Sequence, residues 1–273
     1  MPTLTPPAAA FPQHFPTETL RAAERARPAG IAVGHQRWNH LLFAHWTVDP
    51  AHIQATLPPG LFVDTHEGAA YVGVVPFFME RIRPAGLPPL PGLSWFLELN
   101  VRTYVHDAAG RPGVWFYSLD CNQPIAVAIA RGFFHLPYFH ADMATERTDD
   151  GGWSYFSQRR GSRRRDHFVW TCDPTAFTPA QPGSLDYFLA ERYRLFSVDD
   201  HGDLHSGKVH HAPYRLQRPH VRAWSGEVAR LAGFELRGPP DSLLAAAAVD
   251  VAIFPLRRHV DARESVSASL LSP

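Results

Sequence analysis

A carboxylate, an amide and a guanidinium recur at every second residue in Glu98, Asn100 and Arg102, within the stretch Ser94-Trp95-Phe96-Leu97-Glu98-Leu99-Asn100-Val101-Arg102-Thr103-Tyr104-Val105. A strand sends alternate side chains to opposite faces. Phe96, Glu98, Asn100, Arg102 and Tyr104 therefore share one face, and Leu97, Leu99, Val101 and Val105 the other. Polar groups spaced about 7 Å apart along a strand either face bulk water on a half-exposed antiparallel sheet or line a cavity that uses charge. The flanking rings of Phe96 and Tyr104 favour the cavity. In such a cavity Glu98 would exchange a proton and Arg102 would anchor an anion. The competing role for Glu98 is a structural ion pair with Arg102 or Arg131.

A second group of chemical side chains follows a helical Ala- and Ile-rich segment: Ala130-Arg131-Gly132-Phe133-Phe134-His135-Leu136-Pro137-Tyr138-Phe139-His140. Tyr138 and His140 join Glu98 as candidate proton-transfer groups. Arg37, Asn39, Asn100, Arg102, Arg131, His135 and His210 are candidate ligand contacts. The pair His210-His211 lies on a strand, so only one of the two can face a given pocket. Sixteen histidines raise the question of a metal. Neither Cys-x-x-Cys nor His-Glu-x-x-His spacing occurs, so no metal and no cofactor is assigned; a His/Glu site assembled from distant strands is the alternative. Lys208 is the one lysine of the chain, and it reads as a surface residue of a hairpin.

Glu98 and the helix-turn segment together resemble the acetoacetate decarboxylase superfamily, in which a strand glutamate precedes a helix and a Gly-Phe-Pro-Lys-Lys turn bearing a Schiff-base lysine. Here Tyr138 and Phe139 stand where the lysine pair would be, so the resemblance implies a pocket without imine chemistry. The closer match is the uncharacterised YqjF-like family, an offshoot of that superfamily. The likeness is carried by Trp38-Asn39-His40-Leu41-Leu42-Phe43-Ala44-His45-Trp46, Leu57-Pro58-Pro59-Gly60-Leu61, Gly73-Val74-Val75-Pro76-Phe77, Leu87-Pro88-Pro89-Leu90-Pro91-Gly92, Glu98 through Tyr104, Val209-His210-His211 and Ile253-Phe254-Pro255-Leu256. The superfamily's first-strand arginine aligns near Asn39, with Arg37 two residues earlier on the same face. The implied fold is a β-rich α+β domain: a curved antiparallel sheet closing into a barrel-like cone around a pocket, with few short helices. The implied activity is acid–base chemistry on a small oxo or hydroxy acid or related organic compound; non-catalytic binding of a small molecule is the alternative.

Bulk properties agree. The 273 residues are 45% hydrophobic, enough for a full core, and 26 basic residues balance 26 acidic ones. That balance argues against a nucleic-acid footprint or a polybasic membrane patch, and no apolar run reaches the roughly 18 residues of a membrane span. Two cysteines exclude a disulfide framework and fit a reducing cytoplasm. The expected partner is a small organic molecule, with self-association into a homo-oligomer compatible with the same features. The chain divides into a Pro/Ala-rich arm (1–34) with a short helix over Thr17–Arg27, one domain (35–258) and a polar tail (259–273). Within the domain, strands are expected over Trp38–Val48, Leu61–Thr65, Ala69–Val75, Leu93–His106, Val114–Leu119, His140–Glu146, Trp153–Arg160, His167–Cys172, Tyr193–Val198, Leu204–His211 and Ala247–Phe254. Helices are expected after Asp49, over Pro124–Phe134 and over Ser184–Glu191. The basic run Arg159–Arg165 reads as a hairpin tip, and the proline-rich Leu87–Gly92 as a stiff connector that roofs the pocket or meets another subunit.

Overall fold

A computed structural model describes residues 14–259; the start of the expected arm (1–13) and the tail from 260 lie outside the described residues. Helix α1 (Glu18–Glu24) begins at Thr17, whose hydroxyl accepts from the Leu20 amide. Strands β1 (Gly34–Asn39) and β2 (Leu41–Val48) replace the single strand expected over Trp38–Val48, because His40 adopts a left-handed φ of 49°. That one residue shifts the phase of the alternation. Trp38 packs inward before it, Leu41 and Phe43 after it, while Leu42, Ala44 and Trp46 meet an outer layer.

Asp49 caps α2 (Pro50–Gln54) by accepting from the Ala51 amide, with proline at the first helical position. Then come β3 (Leu61–Val63), β4 (Ala70–Pro84), β5 (Phe96–Asp107) and β6 (Pro112–Cys121), β4 running well past its expected end. Helix α3 (Pro124–Phe134) is capped by Gln123 and ends at His135, again left-handed at φ 49°. Strands β7 (Tyr138–Arg147), β8 (Trp153–Arg159) and β9 (Asp166–Thr171) form a meander. The remainder is β10 (Thr178–Pro179), α4 (Leu185–Ala190), β11 (Arg194–Val198), β12 (Leu204–His210), β13 (Arg215–Gln217), β14 (His220–Ala223), α5 (Glu227–Leu231), β15 (Ser242–Ala246), β16 (Val249–Ile253) and β17 (Arg257–Arg258).

Seven strands close into a barrel in the order β4-β5-β6-β11-β12-β16-β1 and back to β4. Its pairings are antiparallel except β6 with β11; outside the ring, β7 also joins β6 in parallel. Phe43, Val75, Phe77, Phe96, Leu119, Tyr138, Val209, Tyr214 and Val251 fill the interior. A second layer, β7-β8-β9-β14, lays Tyr155, Phe168 and Trp170 over Val74, Leu99 and Val101. Both faces of β5 are thus covered: its apolar side by that layer, its charged side by the barrel. No described helix is long and apolar enough to cross a membrane. The proline-rich connector is pinned at its ends, with Ser94 Oγ donating to Ile82 O (2.5 Å) and Gln123 Nε2 to Gly92 O (2.7 Å).

The described part of the arm is bound to the barrel. Arg21 donates both terminal nitrogens to Asp64 at 2.7 Å, and Arg192 donates to the same carboxylate at 2.6 Å. Burial alone would raise the Asp64 pKa, but Arg192 and then Arg21 hold it below the usual carboxylate range. Asp64 is therefore an ionised hub between two buried guanidiniums, each also stacked on Phe188. Asp64→Asn leaves both cations without their anion and should lower stability by about 3–5 kcal/mol, read from urea unfolding midpoints. A loss under about 1 kcal/mol, the scale of an exposed pair, would contradict this role.

Candidate functional site

Glu98 is 3% exposed. It lies opposite Phe77 of β4 and Cys121 of β6, and Cys121 in turn lies opposite His140 of β7. Its Oε2 accepts from the Tyr138 hydroxyl at 2.7 Å, and its Oε1 from Asn100 Nδ2 at 3.5 Å. From the second layer, Tyr155 donates to the Glu98 carbonyl at 2.8 Å and pins the backbone there. No cation pairs with the carboxyl among the described residues. Burial drives its pKa up, the bonds from Tyr138 and Asn100 oppose that, and the balance lies at about 7. Burial first, and then Glu98 itself, raise the Tyr138 phenol well above its ordinary value.

Arg102 shares the inner face of β5 but belongs to a neighbouring cluster. It donates to Tyr104 Oη (3.3 Å) and Leu189 O (3.2 Å), and its guanidinium stacks on Phe43. Tyr104 also donates to Leu189 O and meets His45 Nε2 at 2.6 Å. Gly73 sits between His45 and Arg102 in register; a Cβ there would lie 3.0 Å from the His45 ring, so only glycine leaves the pair undisturbed. Among the described residues, Asn100 Oδ1, Arg102 Nε, His45 Nδ1 and His211 Nε2 are buried with no hydrogen-bond partner.

An open groove of ≈ 900 Å³ is lined by Tyr138, Arg131, His135, Phe116, Phe139 and Asp200, among others. Tyr138 thus links the groove to the buried carboxyl. Arg131 holds the turn between them, donating Nε (2.7 Å) and a terminal nitrogen to Tyr138 O. Arg159 leaves the basic hairpin tip to bond Asp120 and stack on Phe139 at 4.1 Å. No residue of Leu87–Gly92 is among those lining the groove.

The other candidate residues lie apart from Glu98. Arg37 and Asn39 face outward, to Glu80 at 3.6 and 3.0 Å, with Arg37 also near Asp250. His140 shares the face of Tyr138 one register step away. His210 and His211 both line a separate pocket of ≈ 260 Å³ with Arg27, His35 and Arg83, against the expectation that only one of them could, because backbone as well as ring atoms bound a pocket; the His211 ring packs among Trp38, Tyr193 and Tyr214. Lys208 lies 3.3 Å from Glu24 in an ion pair shared with Arg194. Sequence reasoning did not single out His45 or Tyr155, and of the pair His210-His211 it took His210. Only His45 carried a usable signal, as the polar end of the alternation Leu41-Phe43-His45.

The closed seven-stranded barrel with few short helices is an acetoacetate decarboxylase-like fold. The chain matches the DUF2071 family, described as an uncharacterised conserved protein, over residues 35–250, and it belongs to that family. It is 38% identical over 243 residues to the uncharacterised protein YqjF of Bacillus subtilis (strain 168), across 89% of this chain and 99% of that one. Among solved structures it is similar to the acetoacetate decarboxylase of Legionella pneumophila (TM-score 0.58, 13% identity, 88% of this chain and 95% of that one). It is also similar to the enduracididine biosynthesis enzyme MppR complexed with pyruvate (TM-score 0.59, 15% identity, 86% and 93%). At these identities the structural likeness concerns the fold.

A carboxyl with a folded-state pKa of about 7 against an ordinary 4.5 holds its proton more tightly folded than unfolded. Its stabilising contribution is complete below pH 4.5 and is lost as pH rises through 7, by about 3 kcal/mol in all. Glu98→Gln removes that slope. The stability of wild type relative to this variant should fall by about 3 kcal/mol between pH 4.5 and 8, measured by chemical denaturation. Parallel pH profiles would show that Glu98 titrates normally.

Proposed function

We propose that the protein binds a small organic molecule in the groove before Tyr138 and exchanges a proton with it through Tyr138 and Glu98, without forming an imine. The observation that carries this reading is the 2.7 Å bond from the hydroxyl of Tyr138, a residue that lines the groove, to a buried carboxyl poised at about 7. A general base works best with a pKa near the operating pH. Tyr138 is too weak an acid to persist as a phenolate, so it acts as a relay. It takes a proton from the ligand while passing its own to ionised Glu98, and the reverse sequence delivers a proton. Arg131 and His135 are among the polar residues that line the groove.

An imine requires a neutral amine, and the single lysine is held in an ion pair with Glu24, away from the groove. An oxo acid is the ligand class suggested by the pyruvate-bound relative. A reducing cytoplasmic setting fits the two free cysteines.

The direct assay is exchange of α-hydrogens of pyruvate or another small oxo acid in D2O, followed by NMR. Wild type should accelerate exchange, and Glu98→Gln and Tyr138→Phe should each slow it by about 10²-fold or more, the usual contribution of a positioned acid or base. Ligand-induced thermal stabilisation without exchange would assign a binding role instead. Borohydride treatment with the same acid, followed by intact mass, should leave the protein unmodified; an adduct on Lys208 would overturn the imine-free mechanism.

A further inference from the structure

We propose that His135, Asp199 and His205 form a binding site for one divalent transition-metal ion at the rim of the groove. One ligand-type atom from each residue lies within 4.8 Å of the other two. The three arrive from separate places: His135 ends α3, Asp199 follows β11 in the hairpin turn, and His205 is the second residue of β12.

Asp199 is already oriented for the task. Its Oδ1 accepts from the His201 and Asp203 amides, both at 2.9 Å, which leaves Oδ2 to point at His205. His205 Nε2 stands 2.9 Å from that Oδ2. Two ligands each about 2.1 Å from a shared ion stand about 3.0 Å apart at a right angle and about 3.4 Å apart in a tetrahedron, so an opening of the pair by at most about 0.5 Å would convert the hydrogen bond into joint coordination. The backbone donors on Oδ1 play the part of the outer-shell partners that fix a ligating carboxylate.

The hairpin alone does not account for His135. Its backbone is held in the left-handed region, and its ring sits 5.1 Å from the ring of His205, tilted by 41°. Among the described residues that ring makes no hydrogen bond. A third donor has therefore been brought by a different element to a prebuilt Asp–His pair.

Two imidazoles and one carboxylate favour ions such as Zn²⁺, Co²⁺ or Fe²⁺ over Mg²⁺ and Ca²⁺, which prefer all-oxygen sets. Three protein ligands leave coordination positions open, the pattern of catalytic rather than structural centres. His135 and Asp200 both line the groove, so an open position would be available to an oxygen of a molecule bound there, and the ion would polarise it as a Lewis acid. The site does not rest on the proton relay of Tyr138 and Glu98, and it can be tested without any organic ligand.

The test is titration of metal-stripped full-length protein with Co²⁺, followed by visible absorption, and with Zn²⁺ by calorimetry. The substitutions retain local structure: His135→Asn, because asparagine tolerates the left-handed region; Asp199→Asn, which keeps an oxygen for the two amides; and His205→Gln. Circular dichroism confirms folding. The expected result is one equivalent bound per chain, with each variant weakened by more than the roughly 10–100-fold lost on removing an outer-shell partner. Glu98→Gln and the exposed-site control His220→Gln should bind as wild type does. Absence of Co²⁺ and Zn²⁺ binding, full binding by the folded His135→Asn protein, or equal affinity for Mg²⁺ would overturn the assignment.

Discussion

A carboxyl group withdrawn from water must find a cation, find hydrogen-bond donors, or keep its proton. Two buried acids in this barrel resolve that constraint in opposite ways. Asp64 is clamped between Arg21 and Arg192 and stays ionised. Glu98 receives hydrogen bonds but no charge, and its pKa rises to about 7. The guanidiniums of the region are committed to other acceptors: Arg102 to Tyr104 and Leu189 O, Arg131 to Tyr138 O, Arg159 to Asp120. One acid is thereby made structural and the other titratable, by environment alone.

That arrangement depends on β5 being covered twice. An apolar strand face normally turns to the core and a charged face to water; here the apolar face meets the second layer and the charged face lines the barrel. Tyr155 couples the two layers at the critical point, reaching through to the Glu98 carbonyl. The parallel pairing of β7 to β6 brings the turn after α3 alongside, which is what carries Tyr138 to the carboxyl.

The alternation of β5, the Asp49 cap of α2 and the helix before Tyr138 were legible because each rests on local spacing. The phase shift at His40 was not: nothing in Trp38–Val48 marks a left-handed residue, and ignoring it leaves the inward and outward faces of β1 undetermined. Arg37 and Asn39 accordingly sit outside the barrel, against Glu80. Strands β13 to β15 and helix α5 are too short to show a period. The docking of α1 depends on a pairing of Arg21 with Asp64 across 43 residues, which no local pattern announces. The grouping of Glu98, Asn100 and Tyr138 was readable; the diversion of Arg102 to a different cluster required the position of Leu189.

Fold and chemistry are separable in this family. The fold is shared with acetoacetate decarboxylase, and the turn after α3 of this chain carries Tyr138-Phe139. The chemistry proposed for this chain therefore turns on the protonation of Glu98. Selective ¹³C labelling of glutamate carboxyls, with Glu98 assigned by comparison with Glu98→Gln, reads that titration directly. A midpoint near 7 is expected; a midpoint near the ordinary 4.5 would show that burial does not hold the proton on Glu98.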